Sequence, residues 1–261
     1  MTVFLLPPSE TKNDATGKAK LNLKNLSFPE LTKARTLALE SVITLCESSP
    51  AKARTALGVS QKLDFERIRN TKLKTAAVMP AWKIYSGVLY DAINADALSL
   101  AAIKKLTKHC YVQSALFGLI SLADSIPAYR LSATNKLPKI GTLSNIWAKP
   151  HLEIFENFTE LVVDMRSGQY EALAPIPKSI SEMVVVPRIL QKMPSGPPKV
   201  VSHHNKATKG RIIRQIVTSS KVPQNVDQLA SLISKLKADV DVIKPKKLGQ
   251  PMTLNVVVAA L

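Results

Sequence analysis

The chain has 261 residues, with 36 lysines and arginines against 19 aspartates and glutamates, so its formal net charge is +17. A charge of this size raises the local concentration of polyanions and makes nucleic acid the expected partner. At 46% hydrophobic residues the chain can bury a complete core, and we expect one domain over residues 1–261. It has two cysteines and no apolar run of about eighteen residues, so we expect a cytoplasmic protein with reduced thiols and no membrane partner.

Apolar runs and their periodicity predict strands and helices that alternate along the chain. Strands are expected at residues 2–6, 110–119, 160–165, 183–187, 199–203, 240–243 and 253–259. Helices are expected at residues 31–47, 60–70, 80–93, 96–108, 143–158 and 226–236. This order predicts an α/β fold of mixed α+β type, in which helices flank a mixed sheet. Some connections are too short for a crossover helix, so some neighbouring strands should be antiparallel.

Residues 203–214 carry four cations around a predicted strand-to-helix turn. Between residues 183 and 226 the chain has eight lysines and arginines and no carboxylate. Thr208 is the expected N-cap, and Gly210 would let a bulky anion approach the main chain. The unpaired N–H groups of a helix start favour phosphate at this position. The cations of this predicted phosphate site are Lys206, Lys209, Arg211 and Arg214.

The direction of each side chain separates these four cations. Lys206 and Lys209 should project on the apolar side of the helix, toward the protein or a cleft, where an ammonium group needs an anion or carboxylate. Arg211 and Arg214 should project away from that side. A solvated basic face is the alternative for the segment, and it is the favoured interpretation for Arg214. Other lysines, among them Lys104 and Lys105, are interpreted as ordinary surface residues.

Charged residues also lie near the ends of predicted strands. Glu10 and Lys12 follow the first strand in a proline-rich loop, where sheet proteins commonly build sites, although an exposed salt bridge is an equal alternative. Asp164 and Arg166 lie at another strand end, where a structural ion pair is the commoner arrangement. Arg130 follows Tyr129 and offers a planar donor beside a stacking face.

Six short segments, in this order and spacing, resemble the YaaA peroxide-stress protein family. They are LLPPSETK at 5–12, YSGVLY at 85–90, SALFGL at 114–119, PAYRL at 127–131, DMRSGQY at 164–170, and the basic segment at 203–214. The resemblance fades from about residue 221. It implies a cannon-like fold and a cytoplasmic protein that binds double-stranded or branched DNA in a basic cleft, protects cells against hydrogen peroxide and limits free iron. It also implies a helix-hairpin-helix element, expected near residues 114–122.

Two functions follow from these observations. The first is DNA binding through phosphate contacts in the peroxide stress response. The second is an enzyme that acts on a phosphorylated or nucleotide substrate in the same cleft, with Glu10 or Asp164 as acid or base. His203 and His204 would face opposite sides of a strand, so we expect no metal site, and the sequence indicates no cofactor. The residues expected to bind phosphate are Lys12, Arg130, Arg166, Lys206, Lys209, Gly210, Arg211 and Arg214.

Overall fold

A computed structural model describes residues 2–200 and 202–259, and for residues 202–204 it describes the backbone alone. The strands are β1 (Val3–Leu6), β2 (Met79–Pro80), β3 (Cys110–Ser114), β4 (Gly118–Ser121), β5 (Ser125–Ile126), β6 (Lys136–Leu137), β7 (Gly141–Thr142), β8 (Val162–Asp164), β9 (Val184–Gln191), β10 (Asp239–Ile243) and β11 (Met252–Val258). The α-helices are α1 (Thr32–Glu47), α2 (Pro50–Leu57), α3 (Asp64–Thr71), α4 (Ala81–Ile84), α5 (Val88–Ile93), α6 (Leu100–His109), α7 (Ser144–Glu156), α8 (Gly168–Glu171), α9 (Ser202–Thr218) and α10 (Val226–Ser234).

Seven strands form one mixed sheet in the order β10-β11-β9-β8-β1-β3-β4. The interior strand β1 runs parallel to both of its neighbours, β3 and β8, while β3–β4 and β10–β11 are antiparallel pairs. The predicted α/β class with a mixed sheet is therefore confirmed. Because β1, β3 and β8 run in one direction, their ends define a carboxyl edge and their starts define an amino edge of the sheet.

The core surrounds β1, whose four residues are all buried, as expected for a strand covered on both faces. Helix α7 packs on β4 and on α1, while α9 packs on α5, α6 and β9. Gly118 begins β4 with φ +65°, and a Cβ there would lie 2.8 Å from the indole ring of the fully buried Trp147. Both the backbone angle and this close approach require glycine. No helix in residues 2–200 and 202–259 is long and apolar enough to cross a bilayer.

The strand predicted at 199–203 is wrong. Lys199 forms a single bridge to Gln191, and α9 is already helical at Ser202. Thr208 therefore lies inside α9 and is not its N-cap. It is buried on the same side as the isoleucines that follow, so the apolar face of the helix extends further toward its start than those isoleucines indicate.

Gly210 is close to another part of the protein, not to an open anion site. A Cβ at this position would lie 2.2 Å from the backbone oxygen of Leu89 and 2.7 Å from the Cβ of Ala92. Both neighbours belong to α5. The glycine thus lets α9 and α5 approach each other through their backbones.

Several smaller predictions also changed. The helix predicted at 80–93 is divided into α4 and α5 at Gly87, where φ is +94°. Helix α2 was not predicted. Residues 114–122 contain the turn between β3 and β4, so the helix-hairpin-helix element expected there is wrong. The helix predicted at 143–158 is confirmed as α7, which contains Pro150. Both cysteines are buried free thiols, as expected.

Candidate functional site

The loop after β1 holds Lys12 in an enclosed position at the carboxyl edge. Its Nζ donates to the backbone oxygens of Ser9 (2.7 Å) and Glu10 (3.4 Å) and lies 4.1 Å from the ring centroid of Tyr129. The residue is 7% exposed. Burial lowers the pKa of the Lys12 ammonium to about 7, although the nearby carboxylate of Glu10 acts in the opposite direction. Burial thus brings the pKa of Lys12 close to neutral pH.

Arg130 reaches this loop from the segment after β5. Its Nη1 lies 2.6 Å from Oε2 of Glu10, and the Ser132 hydroxyl donates to the other carboxylate oxygen of Glu10. The Arg130 Nε is buried and has no hydrogen-bond partner among the described residues. Glu10 therefore forms a salt bridge with Arg130, whereas the exposed salt bridge considered between Glu10 and Lys12 is not formed, because Lys12 Nζ donates to backbone oxygens. Each oxygen of the Glu10 carboxylate already has a partner, which weakens its case as a general base.

Asp164 and Arg166 form a buried bidentate ion pair at the end of β8. The Asp164 carboxylate receives Nε at 2.9 Å and Nη2 at 2.8 Å, and its Oδ1 also accepts the backbone N–H of Arg166 at 3.0 Å. Arg166 Nη1 donates to the backbone oxygen of Ala174 at 2.8 Å. This is the structural ion pair named as the alternative for these residues. Both charges are neutralised inside the protein.

Lys209 joins the same buried region from α9. Its Nζ donates to the backbone oxygen of Met165 at 3.0 Å. Burial lowers the pKa of the Lys209 ammonium, while the Asp164 carboxylate acts in the opposite direction. The expectation that Lys209 points into the protein is confirmed, and the group that meets it is a carbonyl oxygen.

The other cations of α9 have two different environments. Lys206 is exposed, so the expectation that it points toward the protein is wrong; Arg211 is exposed as expected. Arg214 is not a solvated residue, because its Nη1 donates to the backbone oxygens of Ile93 (2.8 Å) and Asn94 (2.9 Å) at the end of α5. Arg214 thereby satisfies carbonyl groups that a helix end leaves unpaired. Lys206 and Arg211 remain available to an external anion.

The predicted site residues therefore fall into three groups, one of which is the exposed pair Lys206 and Arg211. Lys12, Arg130, Arg166 and Lys209 lie at the carboxyl edge, each bound to a carboxylate or a carbonyl oxygen. Gly210 and Arg214 pack on α5. The role of all these residues in binding DNA stays a prediction. The adjacent His203 and His204 lie in the first turn of α9, with side chains outside the described residues.

A second polar region lies at the amino edge, next to the starts of β1 and β3. It is a groove of about 610 Å³ between α6 and the segment after α9. None of the described residues that line it carries a carboxylate. They are Lys104, Lys105, Lys108, His109, Lys221, Val222, Gln224 and Gln228. We call this region the lysine groove.

Hydrogen bonds hold the base of the lysine groove in place. His109 Nδ1 lies 2.8 Å from the backbone oxygen of Thr2, and burial lowers the pKa of its imidazole, which favours the neutral ring at pH 7. Lys105 Nζ donates to the backbone oxygens of Ser219 and Ser220. These contacts join α6 to the segment after α9.

The other lysines of the groove face solvent. Lys104, Lys108 and Lys221 are exposed. Sequence reasoning placed Lys104 among ordinary surface residues and did not single out Lys108. The sequence does indicate that Lys104 and Lys108 share a surface, because lysines four residues apart lie on one face of a helix. Its significance depended on Lys221, which only the tertiary structure brings to the same groove.

The molecule is thus a strongly basic α/β protein with a buried polar cluster at one edge of its sheet and an open lysine groove at the other. The model of the family described as peroxide stress protein YaaA matches residues 1–236, and the chain belongs to this family. The suspected resemblance is confirmed, and with it a connection to peroxide stress.

Similar proteins extend the match over almost the whole chain. A UPF0246 protein of Streptomyces coelicolor is 38% identical over 258 residues, which cover 98% of each chain. A UPF0246 protein of Corynebacterium efficiens is 39% identical over 261 residues, which cover 98% of this chain and all of the relative. The similarity to these relatives includes the segment after residue 221, where the resemblance to the family was expected to fade.

Proposed function

We propose that this protein binds double-stranded or branched DNA in the cytoplasm as part of the peroxide stress response, through contacts to phosphate and without reading base sequence. The observation that carries the proposal is the lysine groove, whose exposed cations face solvent with no carboxylate among its described lining residues. A phosphate backbone would replace counterions at these ammonium groups, which is the main source of affinity in sequence-independent DNA binding.

The spacing of the groove lysines supports an extended anion. Lys104 and Lys108 lie on one face of α6, about 6 Å apart along the helix axis at a rise of 1.5 Å per residue. Lys221 faces them from the segment after α9. Cations on two sides of an open groove suit a backbone that passes through, whereas a small phosphate ester is better held in an enclosed pocket with converging donors.

The exposed cations of α9 support the same proposal. Helix α9 packs against α6, so Lys206 and Arg211 belong to the helix beside the one that carries the groove lysines. Within the described residues, they are the members of the predicted phosphate-binding set that make no internal contact of the kind found for Lys12, Arg166 or Lys209. Phosphate contacts of this kind position a protein on DNA but carry no sequence information.

Binding of labelled duplex, four-way junction and single-stranded DNA across a salt series tests the proposal. The logarithm of affinity should fall linearly with the logarithm of salt concentration, by about 0.9 for each duplex phosphate contacted. Duplexes of unrelated sequence should bind equally well, and free nucleotides should compete poorly. Affinity that does not change between low and high salt would contradict the proposal. Effective competition by one nucleotide would favour a ligand-binding enzyme in its place.

A further inference from the structure

His109 lies at the base of the lysine groove and is the last residue of α6. Its Nδ1 lies 2.8 Å from the backbone oxygen of Thr2. Because a carbonyl oxygen can only accept a hydrogen bond, Nδ1 carries the proton of the neutral ring. Nε2 is therefore the unprotonated nitrogen, with a lone pair that can bind a further proton.

The unprotonated nitrogen is open to the groove. Nε2 makes no hydrogen bond within the described part of the chain, and the buried unpaired side-chain atoms found there do not include it. Since the Nδ1 edge of the ring is turned toward Thr2, the edge that lines the groove is the one with Nε2. A ligand in the groove can thus reach this nitrogen.

The surroundings of the ring oppose its protonation while the groove is empty. Burial lowers the pKa of the His109 imidazole, and the charges of Lys108, the amino-terminal group and Lys105 act in the same direction. The hydrogen bond to Thr2 acts against them. These influences keep the ring neutral at pH 7.

The other residues of the groove add cations and no anion. Lys104 lies on the same helix, Lys221 faces it from the segment after α9, and the lining residue from α10 is Gln228. The described lining residues therefore supply no carboxylate that could pair with a protonated imidazole. An anion that stabilises the protonated ring has to come from outside the protein.

A phosphate in the groove reverses the balance. It brings negative charge within reach of Nε2 and offsets the positive charge of the neighbouring ammonium groups, so both effects favour the protonated ring. The end of α6 favours it as well, because the carboxyl end of a helix carries partial negative charge. Protonation also creates a new donor, Nε2–H, on the groove side of the ring.

We infer that His109 is a phosphate-binding residue of the lysine groove, whose Nε2 takes up one proton from solvent when DNA binds and donates it in a hydrogen bond to a phosphate oxygen. The inference rests on the proposed DNA binding and adds a coupling to it. Because binding equilibria are reciprocal, DNA strengthens the binding of the proton, and the proton strengthens the binding of DNA by the same factor.

NMR titration of the imidazole groups in the full-length chain tests this coupling directly. The His109 signal, assigned by its loss in His109→Asn, should titrate below the ordinary pKa of 6.5 in the free protein. With a short duplex bound, the midpoint should rise by about one pH unit. His151 is fully buried and its pKa is lowered to about 3, so it should not titrate between about pH 5 and 8.

Duplex affinity measured between about pH 8 and 5.5 gives a second test. If the pKa of His109 is higher in the complex than in the free protein, affinity rises as the pH falls from the bound value to the free value and is level outside this window. A shift of one pH unit corresponds to a gain of about ten-fold in the wild type. His109→Asn, whose amide can still donate to the oxygen of Thr2, should lose most of this gain.

His203→Asn/His204→Asn is the matched control, since these are the other two histidines besides the buried His151. The control should keep the gain in affinity at low pH. A His109 midpoint that duplex DNA does not move, or a gain that persists in His109→Asn and disappears in the control, would overturn the inference. In either case, salt-dependent duplex binding at pH 8 would leave the proposed DNA binding intact. Absence of salt-dependent binding at every pH would contradict the DNA binding itself.

Discussion

The two edges of the sheet use their cations in opposite ways. At the carboxyl edge Arg130 and Arg166 are paired with carboxylates, and Lys12 and Lys209 donate to backbone oxygens. At the amino edge the lysine groove has exposed ammonium groups and no carboxylate among its described lining residues. The formal charge of the chain does not reveal this difference. Burial and pairing decide which cations stabilise the fold and which remain available to a partner.

The first prediction concerns the buried ion pair of the carboxyl edge and has the largest expected effect. Arg166→Met removes one member of a pair in which the Arg166 side chain is fully buried and that of Asp164 is 7% exposed. The Asp164 carboxylate is then left without its partner. The free energy of unfolding, measured with urea, should fall by about 3–5 kcal/mol.

The double variant Arg166→Met/Asp164→Asn is the matched control. It removes both charges but keeps an oxygen that can accept the backbone N–H of residue 166. It should therefore lose clearly less stability than the single variant. If Arg166→Met is as stable as the wild type, Arg166 does not stabilise the fold as a buried cation. It would then remain a candidate for phosphate binding.

The second prediction follows from the pKa of Lys12. Its folded pKa is about 7 and its ordinary value is 10.5, so between these values the unfolded chain binds a proton that the folded chain does not. Stability should therefore rise with pH across this window, by about 1 kcal/mol per pH unit. The window is best measured from pH 7 to 9, because burial raises the pKa of Tyr85 and Tyr129 and makes folding less favourable at higher pH.

Lys12→Met supplies the control for this pH dependence. It removes the titrating group, so urea unfolding of the variant should show a smaller rise in stability between pH 7 and 9 than the wild type. Parallel curves for the two proteins would mean that Lys12 keeps an ordinary pKa, and that the enclosed environment described for it is incorrect.

The third prediction distinguishes a packing glycine from an anion-binding glycine. Gly210→Ala would place a Cβ 2.2 Å from the backbone oxygen of Leu89. Alanine normally stabilises a helix interior by about 1 kcal/mol over glycine, but this overlap should reverse the sign and cost about 1–3 kcal/mol. Gly168→Ala is the control, since nothing lies within 4 Å of its added Cβ, and its effect should stay within about 0.5 kcal/mol.

DNA binding by the same variant sharpens the comparison. If Gly210 serves only the contact between α9 and α5, folded Gly210→Ala should bind DNA with the salt dependence of the wild type. A specific loss of DNA affinity with unchanged stability would instead support the phosphate site that the sequence suggested at this residue.

The sequence predicted the elements whose periodicity is long and regular. The apolar spacing in α1, α7 and α10 and the apolar strands β1 and β11 were recognised within a few residues. The start of α9 was misplaced because Val200 and its neighbour resemble a strand end. The long-range packing of Gly210 against Leu89, which local spacing cannot show, is what makes this part of α9 a core helix.

The functional site was predicted only in part, because contacts between distant parts of the chain decide which cations are paired. The sequence identified Lys12 and Arg166 as functional candidates from their positions near strand ends, and Arg130 from the stacking face of Tyr129 beside it. The groups that contact these cations could not be identified from the sequence. A charged neighbour along the chain does not establish whether a cation is paired or free in the folded protein. The pairing of Arg130 with Glu10 spans 120 residues, and the lysine groove joins α6 to Lys221 in the same long-range way.

The most direct test of the two-edge account is the salt dependence of duplex binding by Lys104→Ala/Lys108→Ala, compared with Lys62→Ala/Lys72→Ala. Both variants lose two exposed lysines and therefore the same charge. The groove variant should lower the slope of log affinity against log salt by about two, with stability unchanged, while the control should keep nearly the wild-type slope. Equal slopes for the two variants would contradict the account, because they would show that net charge and not the lysine groove binds DNA.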